Sequence, residues 1–154
     1  MSAPAPGWPR AGAGLLGVGV LTAGAAVFAA RRLLVSVTVV GESMTPTFRD
    51  GERLLVRRTG RARVGQVVVL DNREPGARRG YADRQSPDLL VKRLAAVSGD
   101  PVPEPVYDAV GAGPGDRVPP GRIVVLGDAP GSVDSRSWGY LAADRLRGVA
   151  LRAR

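Results

Sequence analysis

Apolar positions along this chain follow two rhythms. Over residues 11–30 they run without a single charge for twenty residues. Wound as an α-helix, such a run is about 30 Å long, the thickness of a bilayer core. It predicts a membrane-crossing helix, preceded by a Pro/Ala-containing tail over residues 1–10. A secretory signal peptide is the main rival, although its apolar region usually covers only about 7–15 residues. Five glycines in the run argue against a buried soluble helix. After Arg31 and Arg32 the rhythm shortens to that of strands. It predicts strands over residues 33–40, 52–58, 66–70, 89–97, 122–126 and 146–151, the second approached through an Asp50-Gly51 turn. No later stretch has a helical period of useful length, apart from a short one around 142–145. Residues 74–88 and 101–121 read as loops, the second carrying six prolines and four glycines. The chain is therefore expected to be a mainly β domain over residues 31–154 behind one N-terminal transmembrane helix.

Composition narrows the chemistry. The chain lacks histidine and cysteine, which removes the usual general base, thiol nucleophiles and thiolate metal sites. No metal ligand set and no cofactor motif is present. Of 22 basic residues, one is lysine, Lys92, and the other 21 are arginine. The formal charge of +8 suits anionic lipid head groups. Compositional bias toward Ala, Gly, Arg, Pro and Val is the plainer account of it. No dense basic run or aromatic-interleaved patch points to nucleic acid.

Three places could carry chemistry. Ser43 lies where the strand over 33–40 breaks into Gly41-Glu42-Ser43-Met44-Thr45-Pro46-Thr47. Pro46 stiffens that backbone, which suits a nucleophile held in place; an ordinary turn serine fits the same pattern. Lys92 shares one strand face with Leu90 and Leu94. Partial burial there would free its amine at neutral pH, which no arginine can match. A lysine reaching from the strand to solvent is the plainer reading. The third place is the Ser/Asp/Gly-dense loop from Gly127 to Gly139. There Asp134 and Arg136 can pair with each other or with Arg93 and Asp128. Such pairs are also ordinary on surfaces.

In order and combination these segments resemble the boxes of the type I signal peptidases, the membrane-anchored serine endopeptidases that include the mitochondrial inner-membrane peptidases. The matching elements are Ser43-Met44-Thr45-Pro46-Thr47, Val91-Lys92-Arg93 with Ser98-Gly99-Asp100, and Gly127-Asp128 with Ser132-Val133-Asp134-Ser135-Arg136 and Gly139. The resemblance covers roughly residues 33–151. It implies an antiparallel signal-peptidase-type β-barrel. It implies Ser43 as the acylated nucleophile, Lys92 as general base, and Ser132 as the residue that orients the amine. Asp134, Arg136, Arg93 and Asp128 would support them, and the Ser43 backbone N–H would serve the oxyanion. Val39, Val40, Met44, Leu54 and Val91 would line shallow pockets for small side chains; as aliphatics they are equally plain core residues. The partners implied are exported precursor proteins and membrane lipid, with the domain on the extracytoplasmic side of the cell membrane. Two alternatives share these features: a maturation protease dedicated to one precursor, and a catalytically silent membrane-tethered β module. The third box departs from the family pattern. Ala129-Pro130 replaces a polar pair, and the loop is one residue shorter.

Overall fold

A computed structural model describes residues 33–72 and 88–151. The apolar run over 11–30, the tail over 1–10 and nearly all of the loop expected over 74–88 lie outside the described residues. Among the described residues, no helix is long and apolar enough to cross a membrane.

Seven strands form one sheet: β1 (Leu34–Thr38), β2 (Arg53–Arg58), β3 (Val67–Asp71), β4 (Leu89–Val97), β5 (Arg122–Leu126), β6 (Leu141–Ala142) and β7 (Leu146–Leu151). Their spatial order is β1-β2-β7-β3-β4-β5-β6, and every pairing is antiparallel. No pairing joins the edges β1 and β6 among the described residues. The expectation of a mainly β, antiparallel domain therefore holds. The expected strands over 89–97, 122–126 and 146–151 match β4, β5 and β7 to the residue, and the other three match within a residue or two. β6 has only two residues, too few for a period to show.

Strand alternation explains the core. On β3, Val67 and Val69 face one apolar cluster with Val37, Met44, Leu54 and Val91, while Val68 and Leu70 face another with Leu94, Ile123 and Val125. The middle of the sheet is thus buried on both faces, and β4 crosses it from end to end. Its register against β5 slips between Leu94 and Ala96. The proline-rich segment over 101–121, expected as a loop outside the core, contributes a core cluster of its own. It holds a 3₁₀ turn (Glu104–Val106) running into α1 (Tyr107–Val110). Val102, Val106 and Val118 pack on Ala96 and Val124 as a third cluster. Prolines and glycines dominate its composition, so three widely spaced valines carry no periodic signal. A second short helix, α2 (Ser135–Trp138), is capped by Asp134. A 3₁₀ turn over Ala143–Arg145 stands where a short helix was expected.

Gly148 of β7 lies where two neighbouring strands come close. A Cβ there would sit 2.6 Å from Val56 Cγ1 and 2.7 Å from the Arg57 carbonyl oxygen. Because a backbone atom blocks one side, the neighbourhood cannot simply rotate away. Gly148→Ala should therefore destabilise the domain by about 1–3 kcal/mol, the usual cost of overpacking. Gly60→Ala, which meets nothing within 4 Å, should cost far less. The denaturant midpoints of the two variants against the parent check this.

Candidate active site

The turn that presents Ser43 is held from below. Met44 and Phe48, which follow Ser43 in the connection from β1 to β2, are buried in the core. The backbone closes the turn with Thr45 N–H on the Glu42 carbonyl and Phe48 N–H on the Met44 carbonyl, at 3.0 and 2.9 Å. Val39 N–H donates to the Glu52 carbonyl at 2.8 Å, which extends the β1–β2 pairing to the turn. Ser43 is left half-buried between exposed Glu42 and fully buried Met44.

Lys92 occupies β4 opposite Val68 of β3 and is only 3% exposed. Its Nζ donates to Ser132 Oγ at 2.9 Å. Burial pushes the amine below the ordinary lysine range; Asp134 opposes this by attraction, and Arg136 adds to it by repulsion.

Two arginine–carboxylate forks frame the amine. Arg93 donates Nε and Nη2 to the two oxygens of Asp128 at 2.8 and 2.6 Å, and Nη1 to the Gly65 carbonyl at 2.7 Å. Arg136 donates Nε and Nη2 to Asp134 at 2.9 and 2.7 Å. Asp134 is fully buried and also accepts the N–H groups of Gly127 and Arg136, at 2.7 and 3.0 Å. Burial alone would raise its carboxyl; the Arg136 side chain and the two backbone donors outweigh that and hold it below the usual carboxylate range. The Arg93 fork, helped by the Thr47 hydroxyl, holds Asp128 low as well.

The loop after β5 is stitched to the serine turn. Thr47 Oγ1 donates to Asp128, and Ala129 N–H donates to the Ser43 carbonyl at 3.1 Å. Gly127 makes this approach possible. A Cβ there would overlap the side chain of Ser132 and the Ser43 carbonyl oxygen.

Ser43, Lys92 and Ser132 line one cleft of about 760 Å³, together with Val40, Glu42, Pro46, Leu90 and Trp138 among others. The structure thus brings Ser43, Lys92, Ser132, Asp134, Arg136, Arg93 and Asp128 into one neighbourhood. Of the five aliphatics expected to line substrate pockets, Val40 lines the cleft and is 68% exposed. Val39, Met44, Leu54 and Val91 lie instead in the core beneath it. Pro46, Leu90, Val133 and Trp138 supply cleft walls that were not anticipated. A second groove of about 550 Å³ shares Val40 and continues along β1 past Val37 and Val35.

The family model described as signal peptidase, peptidase S26, matches residues 14–107 and 105–153. The chain belongs to that family. It is also similar to the signal peptidase IB proteins of Staphylococcus aureus strains COL and MW2. Each is 32% identical over 138 residues, covering 72% of this chain and 72% of the relative. Its activity is accordingly that of a serine endopeptidase.

The Asp134 fork has a pH consequence. A carboxyl whose folded pKa lies below its unfolded value near 3.9 stabilises the fold fully above that value. The stabilisation fades as pH falls toward the depressed pKa. Asp134→Asn removes a buried charged acceptor and leaves a partly exposed guanidinium, so at neutral pH it should cost about 1–3 kcal/mol. The stability gap between parent and variant should then narrow progressively below about pH 4. Denaturation midpoints of both proteins across the acid range test this; a gap that stays constant would contradict it.

Proposed function

We propose that this serine endopeptidase, which removes signal peptides from exported precursors, cuts through a Ser43/Lys92 dyad. The observation that carries the reading is Lys92. The only lysine of the chain is buried in the same cleft as Ser43, with its amine on the Ser132 hydroxyl at 2.9 Å. A lysine can act as a base only when neutral, and burial favours that form.

In this reading Lys92 Nζ takes the Ser43 hydroxyl proton as Oγ attacks the scissile carbonyl. The ammonium then gives the proton to the leaving amine, and an acyl-enzyme on Ser43 remains. Water, deprotonated by the same amine, releases the acyl product. The Ser43 backbone N–H faces the oxyanion. Ser132 orients the amine. Asp134 with Arg136, and Asp128 with Arg93, hold Ser132 and the serine turn in place. The groove along β1 takes the extended segment before the cut. Val40, shared by groove and cleft, lines a site for small side chains there with Val35 and Val37, while Val39, Met44, Leu54 and Val91 pack in the core beneath.

The sheet is read as the signal-peptidase-type barrel. Residues 11–30 are read as the single membrane anchor behind a tail over 1–10, and residues 31–154 as a catalytic domain on the extracytoplasmic side. Membrane lipid and the signal-peptide region of precursors are then its partners. A periplasm- or surface-active reporter fused after Arg154 should work, and a cytoplasm-only reporter should stay silent. The reverse pattern would overturn this orientation.

The dyad makes a sharper prediction. Lys92→Arg keeps a cation but removes a proton acceptor, so it should abolish turnover as fully as Ser43→Ala. Because the two groups act as one unit, the double variant should be little worse than either single one. Parent activity should rise with pH through the depressed pKa of Lys92 and then level off. The measurement is kcat/KM for a signal-peptide substrate across pH for all four proteins. A Lys92→Arg variant within a few-fold of the parent would sink the mechanism.

A further inference from the structure

Trp138, the last residue of α2, stands between two cavities. It lines the cleft that holds Ser43 and Lys92. It also lines a separate pocket of about 330 Å³ with Asn72, Leu90, Tyr140 and Arg145. Leu90 is the other residue common to both. Trp138 and Leu90 are thus the partition between the catalytic cleft and a polar pocket. The Lys92 amine lies over the indole, 5.9 Å from the ring centroid. Trp138 is itself 43% exposed, so the ring separates a buried amine from solvent.

We propose that Trp138 is a positioning residue that acts through Lys92 as its water barrier: with Leu90 it keeps the water of the polar pocket and of bulk solvent from the amine. The inference rests on the reading of Lys92 as general base. A ring near a lysine exerts two opposed effects. Its quadrupole attracts the ammonium form, but that attraction fades near about 6 Å, where this amine lies. Its bulk excludes water, which disfavours the ammonium form and grows with the completeness of burial. Lys92 is almost fully buried, so exclusion is the stronger of the two.

The other groups facing the amine do not depend on the indole. Ser132 Oγ accepts from the amine on the loop after β5, where Asp134 attracts the ammonium and Arg136 repels it. Glu42 faces the same cleft from the serine turn. Arg145 lies across the partition, with Nε on the Asp71 carbonyl at 2.9 Å. The Trp138 backbone N–H is bonded to the Asp134 carbonyl at 2.9 Å, a contact that side-chain replacement leaves intact. Replacing the indole with a small or polar group joins the two cavities and lets water reach Nζ.

A chain with a single lysine allows a direct test. Full-length protein in detergent, labelled with ¹³C-lysine, gives one side-chain Cε signal whose shift titrates with the amine. Parent, Trp138→Phe, Trp138→Gln and Trp138→Ala are compared, with kcat/KM against pH measured for the same four. In the Gln and Ala variants the titration midpoint should rise by about one pH unit or more. The acid limb of kcat/KM should move with it, and the rate at neutral pH should fall about tenfold per unit. The alkaline plateau should stay within a few-fold of the parent, and Trp138→Phe should behave like the parent throughout. A midpoint unmoved in Trp138→Gln, or an equal loss of rate at every pH, overturns the proposal. Trp138→Gln carries the test if the Ala variant does not fold. An ordinary lysine midpoint in the parent would instead remove the dyad reading itself, so the two failures are distinguishable.

Discussion

A single amine is kept out of water in the middle of a sheet, and the surrounding structure follows from that constraint. Lys92 is almost wholly buried on β4, between β3 and β5. A buried ammonium without compensation is expensive, so the group tends to shed its proton. The amine still needs a partner, and Ser132 Oγ supplies one. The charges nearest to it are arranged to leave burial in control. Asp134 would favour the ammonium, but its charge is taken up by a bidentate arginine and two backbone donors. Arg136 pushes the other way. Asp134 and Arg136 act in opposite directions, and desolvation, the largest of the three effects, decides the sign.

Arginine suits this frame because it cannot give up its own proton. Both forks place arginine on an aspartate, so the cations around the cleft stay charged and paired while lysine alone can titrate. The same forks do mechanical work across long sequence separations. Arg93 is the neighbour of Lys92 on β4, and through Asp128 and Thr47 it links that strand to the serine turn. Ser43 and Lys92 come from segments 49 positions apart in the chain. A third segment, the loop after β5, touches both. Displacing any one of the three therefore shifts the other two, which is why such sites respond to substitutions well outside the reacting atoms.

Much of this was legible in the residues themselves. β4, β5 and β7 are rich in branched and aliphatic residues at period two, and their bounds can be read directly. Ser43, Lys92 and the Asp/Arg loop were each ambiguous alone; their order along the chain, through its resemblance to the type I signal peptidases, is what picked them out, and Ser132 came from that resemblance only. The cleft walls were less legible. Val39, Met44, Leu54 and Val91 look the same in sequence whether they line a pocket or fill a core, and here they fill the core. Alternation tells which face a side chain takes and not how deep it lies. Trp138 was passed over because its role comes from two cavities meeting at one ring, and a cavity is not written in local sequence. The core under residues 101–121 was hidden for a similar reason: Val102, Val106 and Val118 converge through a folded-back backbone, not through a period.

The shortened third box shows how a loop can lose side chains and keep its geometry. Ala129 and Pro130 have nothing polar beyond the backbone to offer. What fixes the loop is the backbone: Ala129 N–H on the Ser43 carbonyl and Ser132 N–H on the Ala129 carbonyl, both at 3.1 Å. The Arg136 guanidinium gathers the carbonyls of Ala129 and Pro130 at 3.3 and 3.4 Å, contacts long enough to be weak singly. Pro130 brings no N–H that a tighter loop would have to satisfy. Gly127 leaves room for Ser132 to come in against the Ser43 carbonyl. None of these contacts needs a particular side chain at 129 or 130. The replacement of a polar pair and the loss of one residue therefore leave the amine of Lys92 within hydrogen-bonding distance of Ser132.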